Sequence, residues 1–340
     1  MNVAIVGYGS IARDHAQALT ALRATPSGRD LRLYGVMGPH GEPTAAFGRE
    51  FSMAVATTDL DELLGDAAVD AVIVCSPSPA HADQTERALR AGKHVLCEIP
   101  LALSLAETDR LIAIADEVDR RLMVCHTQRY VPALIEARRL IASGELHPHA
   151  IVSRYMFGRR ENVNWRGRLR SWTDNLLWHH GGHAVDVALW LLGVAERSES
   201  VETVARMALP GADLDIPMDL GIVMRTPRDQ LATVAMSYHT RIALHDYLII
   251  GEEATILFEN GHLRDSERVL VEKRDETPGR PDSPIARQDA EFFAAIREGR
   301  EPAVSARSVR PAMAALQAAQ DTLDDRVAAL GPAAKHPRTP

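Results

Sequence analysis

Val3-Ala4-Ile5-Val6-Gly7-Tyr8-Gly9-Ser10-Ile11-Ala12 opens the chain with four apolar residues, a turn holding two glycines, and the start of a helix. Gly7 permits the tight turn, Gly9 lets backbone approach a pyrophosphate, and Ala12 allows close packing of helix on strand. The amides at Ser10 and Ile11 would then face the phosphates. Such a pattern is weak alone; the alternation of strands and helices behind it decides the fold.

Further apolar runs at Leu31–Met37, Ala71–Cys75, His94–Cys97 and Leu122–Cys125 alternate with amphipathic stretches near Ser10–Arg23, Pro43–Glu50, Pro79–Ala91 and Ser104–Val118. Apolar strands separated by helices predict a parallel sheet covered on both faces. After a helix near Pro132–Ser143 the pattern changes. Strand-like stretches at Ala150–Phe157, Glu202–Leu209, Gly221–Arg225, Ala232–Ser237, Tyr247–Ile250 and Val269–Glu272 succeed one another with turns between. A helix over Leu177–Leu192 interrupts them, and helices at Ile285–Glu298 and Arg307–Leu323 close the series. The reading is an α/β domain over residues 1–126, an α+β domain with a mostly antiparallel open sheet over 127–330, and a disordered tail over 331–340.

The 340 residues suit two domains, and 46% hydrophobic with 25% charged residues is ordinary for a globular protein. A net charge of −8 offers no footprint for nucleic acid, and no apolar run approaches a membrane span. Cys75, Cys97 and Cys125 are too far apart for paired metal spacing and each ends an apolar run, which reads as reduced packing residues of a cytoplasmic enzyme. Cofactor choice is set at the end of the second strand, where a carboxylate would hold the ribose hydroxyls and repel a 2′-phosphate. Here the strand runs into Gly38-Pro39-His40-Gly41, with no acid until Glu42. Gly38 leaves room for the phosphate and His40 is placed to help bind it, so NADP is preferred, with NAD possible.

Several segments together resemble the Gfo/Idh/MocA oxidoreductase family. They are Gly7-x-Gly9-x-x-Ala12-x-x-His15, Asp70–Pro77 with His81, Ala91-Gly92-Lys93-His94-Val95, Glu98-x-Pro100-Leu101-Ala102, Arg129-Tyr130-x-Pro132, His183-x-x-Asp186 and Ile296–Arg300-x-Pro302. The resemblance implies a Rossmann domain and an α/β domain whose open sheet supports a homodimer or homotetramer. It implies hydride transfer between nicotinamide and a carbon bearing oxygen, with substrate between the domains. Ser76, Pro77, His81, Glu98 and Ile99 are carried over as cofactor-binding positions.

Two positions depart from the family pattern. Ile99 stands where the family has lysine, and His179 stands where it has an acidic residue four positions before His183. Arg159-Arg160-Glu161-Asn162 and Ser171-Trp172-Thr173-Asp174-Asn175-Leu176-Leu177-Trp178-His179-His180 are similar to one branch. That branch oxidises the cyclic hemiacetal of a carboxylated semialdehyde, in aromatic catabolism, to a pyrone.

That oxidation removes a hydride from carbon and a proton from its hydroxyl. Imidazole, with an ordinary pKa of about 6.5, suits the proton transfer near neutrality. On an α-helix His179 and His183 share a face, with His180 about 100° away. His183 is read as the base and His179 as orienting the substrate; Ile99 packs beside the rings. A histidine pair at this spacing also suits a metal, but only Asp174 and Asp186 offer further ligands, so no metal is assigned. The stretch Arg154–Arg170 carries Arg154, Arg159, Arg160, Arg166, Arg168 and Arg170 against Glu161 alone, and reads as a loop whose guanidinium forks match a carboxylated small molecule. Arg129, Arg160, Arg170, Trp172, Thr173 and His180 are the expected substrate contacts. Alternatives are a sugar or polyol dehydrogenase of the same fold, a catalytically dead nucleotide-sensing regulator, and a thiohemiacetal route through Cys97.

Overall fold

The computed structural model describes residues 1–159, 161, 176–195, 199–209 and 216–330, and the chain forms two compact units. One comprises Met1–Tyr130 and Asp275–Arg307; the other comprises Val131–Arg274 and the chain from Ser308. The sequence pattern predicts one crossing, near residue 126, whereas the chain returns to the first unit at Asp275. The expected tail at 331–340 lies outside the described residues.

In the first unit, β1 (Asn2–Val6), β2 (Arg32–Met37), β3 (Val55–Thr57), β4 (Ala71–Val74), β5 (His94–Cys97) and β6 (Leu122–Val124) form a parallel sheet in the order β3-β2-β1-β4-β5-β6. Helices α1 (Ser10–Arg23), α2 (Gly41–Glu50), α3 (Leu60–Gly65), α4 (His81–Arg90) and α5 (Leu105–Glu117) connect the strands. Every residue of β4 is fully buried, as befits a parallel strand covered on both faces. Strand order reverses between β1 and β4, where open sheets of this topology take their ligands.

The returning segment brings α8 (Pro284–Glu298) against α1. Its ends are set locally. Ser283 accepts a hydrogen bond from the Ala286 amide, Pro284 occupies the first turn, and Gly299 closes the helix at φ 65°. These bounds place Asp289, fully buried, on the face that meets His15.

In the second unit, β7 (Pro148–Met156), β8 (Glu202–Met207), β9 (Asp219–Arg225), β10 (Leu231–Ser237), β11 (Leu244–Gly251), β12 (Thr255–Glu259), β13 (His262–Arg264) and β14 (Val269–Val271) form one sheet in the order β14-β13-β12-β11-β7-β10-β9-β8. All pairs are antiparallel except β7 with β10. Helix α6 (Pro132–Ala142) packs on β12–β14, and α7 (Gly182–Leu191) on β7 and β10. Helix α9 (Ala306–Leu330) completes the fold, and Trp178 donates to Gln320 on it at 3.1 Å. Strand alternation gives this sheet a second face. Leu257, Leu248, Val152, Thr233, Val223 and Val204 stand in register across six strands, with Val204 54% exposed and Val223 44%.

Arg154 lies in the strand expected at Ala150–Phe157 and not in the arginine-rich loop, whose expected start overlaps it. It sits on β7 opposite Asp246 of β11, whose carboxylate accepts from Arg154 Nε at 2.9 Å. Among the described residues no helix is long and apolar enough to cross a membrane.

Candidate active site

The first unit supplies a dinucleotide cradle. Gly7 has φ +116°, and a Cβ there would lie 2.6 Å from the Cys75 carbonyl oxygen, so only glycine fits. A Cβ on Gly9 would meet no protein atom within 4 Å, so packing does not demand glycine at that position. Gly9 heads α1 with no side chain capping the helix and no acid in the first turn, which leaves the amides of Ser10 and Ile11 clear of competing side chains. These residues fit the pyrophosphate of a dinucleotide.

At the end of β2, Gly38 is buried, and a Cβ there would lie 2.3 Å from the Tyr8 ring and 2.7 Å from Thr44 Oγ1. Gly38 is thus held by packing as well as by any ligand. His40 is exposed, in extended conformation, at the head of α2 with no side-chain cap bond. Glu42 lies in the first turn of that helix and pairs with Arg49 at 2.8 Å.

The loops after β4 and β5 carry Ser76, Pro77, Glu98 and Ile99. Two buried histidines hold them. His81 reaches carbonyl oxygens of both loops. His15 Nδ1 meets both carboxylate oxygens of Asp289 at 2.9–3.0 Å, while Nε2 meets Glu98 Oε1 at 3.0 Å. Burial alone would lower the His15 pKa, but the Asp289 and Glu98 carboxylates outweigh it and raise it to about 10. Cys125 Sγ lies 3.9 Å from Nε2, and His15, Glu98 and Cys125 are the one group among the described residues whose ligand atoms converge as a metal would need. A ring protonated on both nitrogens has no lone pair for a metal.

All three cysteines are free and buried. Burial pushes the Cys75 and Cys125 thiols well up, against thiolate formation. Cys97 is fully buried with its Sγ 3.3 Å from the Glu98 carbonyl, which disfavours the thiohemiacetal route. Arg129 also belongs to this unit, buried in the 3₁₀ turn Thr127–Tyr130, with its amide on the His126 carbonyl.

The histidine cluster lies in the second unit. The expected single α-helix over Leu177–Leu192 is a π turn, Leu177–Gly181, continued by α7. A π turn closes its hydrogen bonds over five residues rather than four, so the simple helical projection does not apply there. From Leu176 to Leu189, His179, His180 and His183 are the only residues not buried. The local fold leaves these three residues half-buried while Trp178, Leu177 and Gly181 are fully packed.

His180 lies deep in an aromatic wall that the sequence does not announce. Its Nδ1 bonds the Tyr238 hydroxyl at 2.7 Å, and the rings of Tyr155, Phe157 and His179 lie 4.3–5.3 Å from it. His245 stands beside Tyr155 at 4.5 Å, and Arg159 lies over the Tyr238 ring. Strand pairing makes the wall. His245 of β11 is opposite Tyr155 of β7, and Phe157 and Tyr238 continue the parallel ends of β7 and β10. Burial, with His179, His183, Arg159 and His245 adding to it, holds His180 far below the ordinary imidazole range; burial also lowers His245 to about 4. A ring that gives up its proton so readily is a poor proton acceptor, which suits His180 to orienting a ligand. Arg160, Arg166, Arg168, Arg170, Trp172 and Thr173 lie outside the described residues.

Residues 1–126 match the family described as oxidoreductases with an NAD-binding Rossmann fold, and residues 132–273 match the bacterial oxidoreductase carboxyl-terminal family. The chain is 31% identical to 4-carboxy-2-hydroxymuconate-6-semialdehyde dehydrogenase of a Sphingobium species, over 89% of this chain and 92% of the relative. It is 26% identical to inositol 2-dehydrogenase of Rhizobium meliloti, over 93% and 94% of the two chains. Levoglucosan dehydrogenase solved with NADH and L-sorbose shares the fold, with a TM-score of 0.82 at 20% identity over 96% and 97% of the chains. The glycine cradle, the reversed strand order and these matches agree: the chain belongs to the Gfo/Idh/MocA family of NAD(P)-dependent oxidoreductases, and is a dehydrogenase acting on CH–OH groups.

Proposed function

We propose that this protein oxidises the cyclic hemiacetal of a carboxylated semialdehyde, of the 4-carboxy-2-hydroxymuconate-6-semialdehyde type, to a lactone with NADP. The observation that carries the reading is the burial pattern at Leu176–Leu189, where the three histidines alone are not fully buried. The similarity to the Sphingobium enzyme supports the substrate class. A bound nicotinamide supplies the hydride acceptor. His183 takes the hydroxyl proton as the carbonyl forms, His179 orients the hydroxyl, and His180 with Tyr155 and Phe157 offers aromatic contacts to the substrate ring. The arginines at Arg129, Arg160 and Arg170 are proposed to meet the carboxylates.

The test compares kcat/KM for NADP reduction with the carboxylated hemiacetal and with myo-inositol. The hemiacetal should be preferred. Faster turnover of the carboxylate-free polyol would favour a sugar or polyol dehydrogenase, the reading to which the inositol dehydrogenase likeness points. Tight NADP binding without turnover of either would favour a nucleotide-sensing regulator.

NADP preference is supported by the loop Gly38–Gly41, with Glu42 drawn to Arg49. Gly38→Asp is an unsuitable test, because its Cβ would displace Tyr8. His40→Asp is the better one. The position has ordinary extended backbone and heads α2, where aspartate is a favoured cap. The variant should fold at least as well as the wild type and shift preference from NADP to NAD by repelling the 2′-phosphate. Equal affinities of the wild type for both cofactors would remove the argument.

The row from Leu257 to Val204, apolar except at Thr233, is proposed to pair with a second copy of the chain, giving a homodimer or homotetramer. Val223→Lys, in that row, should reduce the sedimentation coefficient to that of a monomer. A monomeric wild type would contradict this.

A further inference from the structure

His81 is 1% exposed, yet both its ring nitrogens point at backbone carbonyl oxygens. Nδ1 lies 2.7 Å from the Pro100 oxygen and Nε2 lies 2.7 Å from the Ser76 oxygen. A carbonyl oxygen only accepts, and a neutral imidazole has a single N–H. In either tautomer one nitrogen lone pair would face an oxygen lone pair. Both contacts are hydrogen bonds only when both nitrogens carry hydrogen, so the bond count requires an imidazolium.

The surroundings argue that this charge has a purpose. His81 is the first residue of α4, and the amino end of a helix disfavours a cation. Burial disfavours it too, yet the Cys97 side chain and the two carbonyls outweigh burial and raise the pKa to about 9. Other charged groups are turned elsewhere: Asp83 and Glu86 of the same helix pair with Arg87 and Arg90, and Glu98 bonds His15. Across the β4 loop, Ser76 donates its hydroxyl to Gln84.

Ser76 and Pro100 belong to loops at the carboxyl ends of neighbouring parallel strands, β4 and β5. Those strands belong to the half of the sheet that takes the nicotinamide end of a dinucleotide, the other half taking the adenosine. The second loop is held twice, with Glu98 on His15 and Pro100 on His81, and Ile99 lies between the two anchors.

We propose that His81 is a positioning residue, a buried imidazolium that ties the β4 loop to the β5 loop and fixes the surface on which the nicotinamide end rests. The clamp acts on one end of the cofactor only. Its removal should weaken binding of the whole dinucleotide and spare the part without nicotinamide.

The experiment titrates wild type and His81→Gln with NADP and with 2′-phospho-ADP-ribose, which lacks the nicotinamide. Loss of one charged hydrogen bond predicts about tenfold weaker NADP binding by the variant or more, with affinity for the fragment unchanged. Parallel loss for both ligands would mean a general structural role, and no loss for either would mean no role; each overturns the proposal. Should the variant not fold, the wild type still decides it. A long-range nitrogen–proton NMR spectrum at neutral pH should show hydrogen on both ring nitrogens of His81, and NADP affinity should fall as pH rises through about 9. A bare ring nitrogen at neutral pH overturns the clamp.

Discussion

Replacing His183 with alanine is expected to lower the rate of oxidation by about 10²–10⁴-fold, the usual worth of a positioned acid–base group. NADP affinity should not change, because the pyrophosphate cradle at Gly7–Ile11 belongs to the other unit. The expected loss for His179→Ala is smaller, since that ring orients the hydroxyl rather than accepting its proton. His180→Ala removes the hydrogen bond to Tyr238, and should raise KM more than it lowers kcat. Rates for His183→Ala and His179→Ala measured together decide the assignment. If both variants turn over at near wild-type rates, the proton leaves by another route.

The second large effect is on stability. Asp289→Ala should cost about 3–5 kcal/mol, because it strips a fully buried His15 imidazolium of its bidentate partner. Asp289→Asn keeps a hydrogen-bond acceptor and should cost less. Urea unfolding of both variants gives the comparison, and a loss under about 1 kcal/mol for the alanine would contradict a structural ion pair. The two partners shift in the same direction. Burial raises the Asp289 pKa despite His15, and the carboxylates raise His15 to about 10 despite burial. Both groups therefore bind their protons more tightly in the folded protein. Relative to the unfolded chain, stability therefore falls as pH rises. It falls above the ordinary aspartate value of 3.8, where the unfolded carboxyl ionises before Asp289 does. It falls again from about 6.5 to about 10, where the unfolded histidine has released a proton that His15 keeps.

The amino-terminal half is largely legible in the sequence because its strands are continuous apolar runs and its glycines have single conformational reasons. β3 and α3 escape notice since three residues and less than two turns carry no usable period. β12 and β13 also escape notice. The return of Asp275–Arg307 to the first unit has no sequence signal, as it is set by packing of α8 on α1. His15 and Asp289 lie 274 positions apart, and nothing local joins them. The three histidines are legible as residues, but their π turn is not. Tyr155, Phe157, Tyr238 and His245 become one wall only through strand register. Arg154 falls under two overlapping readings, strand and loop, and nothing local decides for the strand because its partner, Asp246, is supplied by a neighbouring strand.

The central claim is that substrate hydride goes to nicotinamide while an imidazole takes the proton. It is tested most directly by single-turnover oxidation of a carboxylated cyclic hemiacetal deuterated at its reacting carbon. Wild type should yield lactone and NADPH with the deuterium at the nicotinamide, and His183→Ala should make the same products far more slowly. Lactone formed without deuterium on the cofactor, or an undiminished rate in the variant, would contradict it.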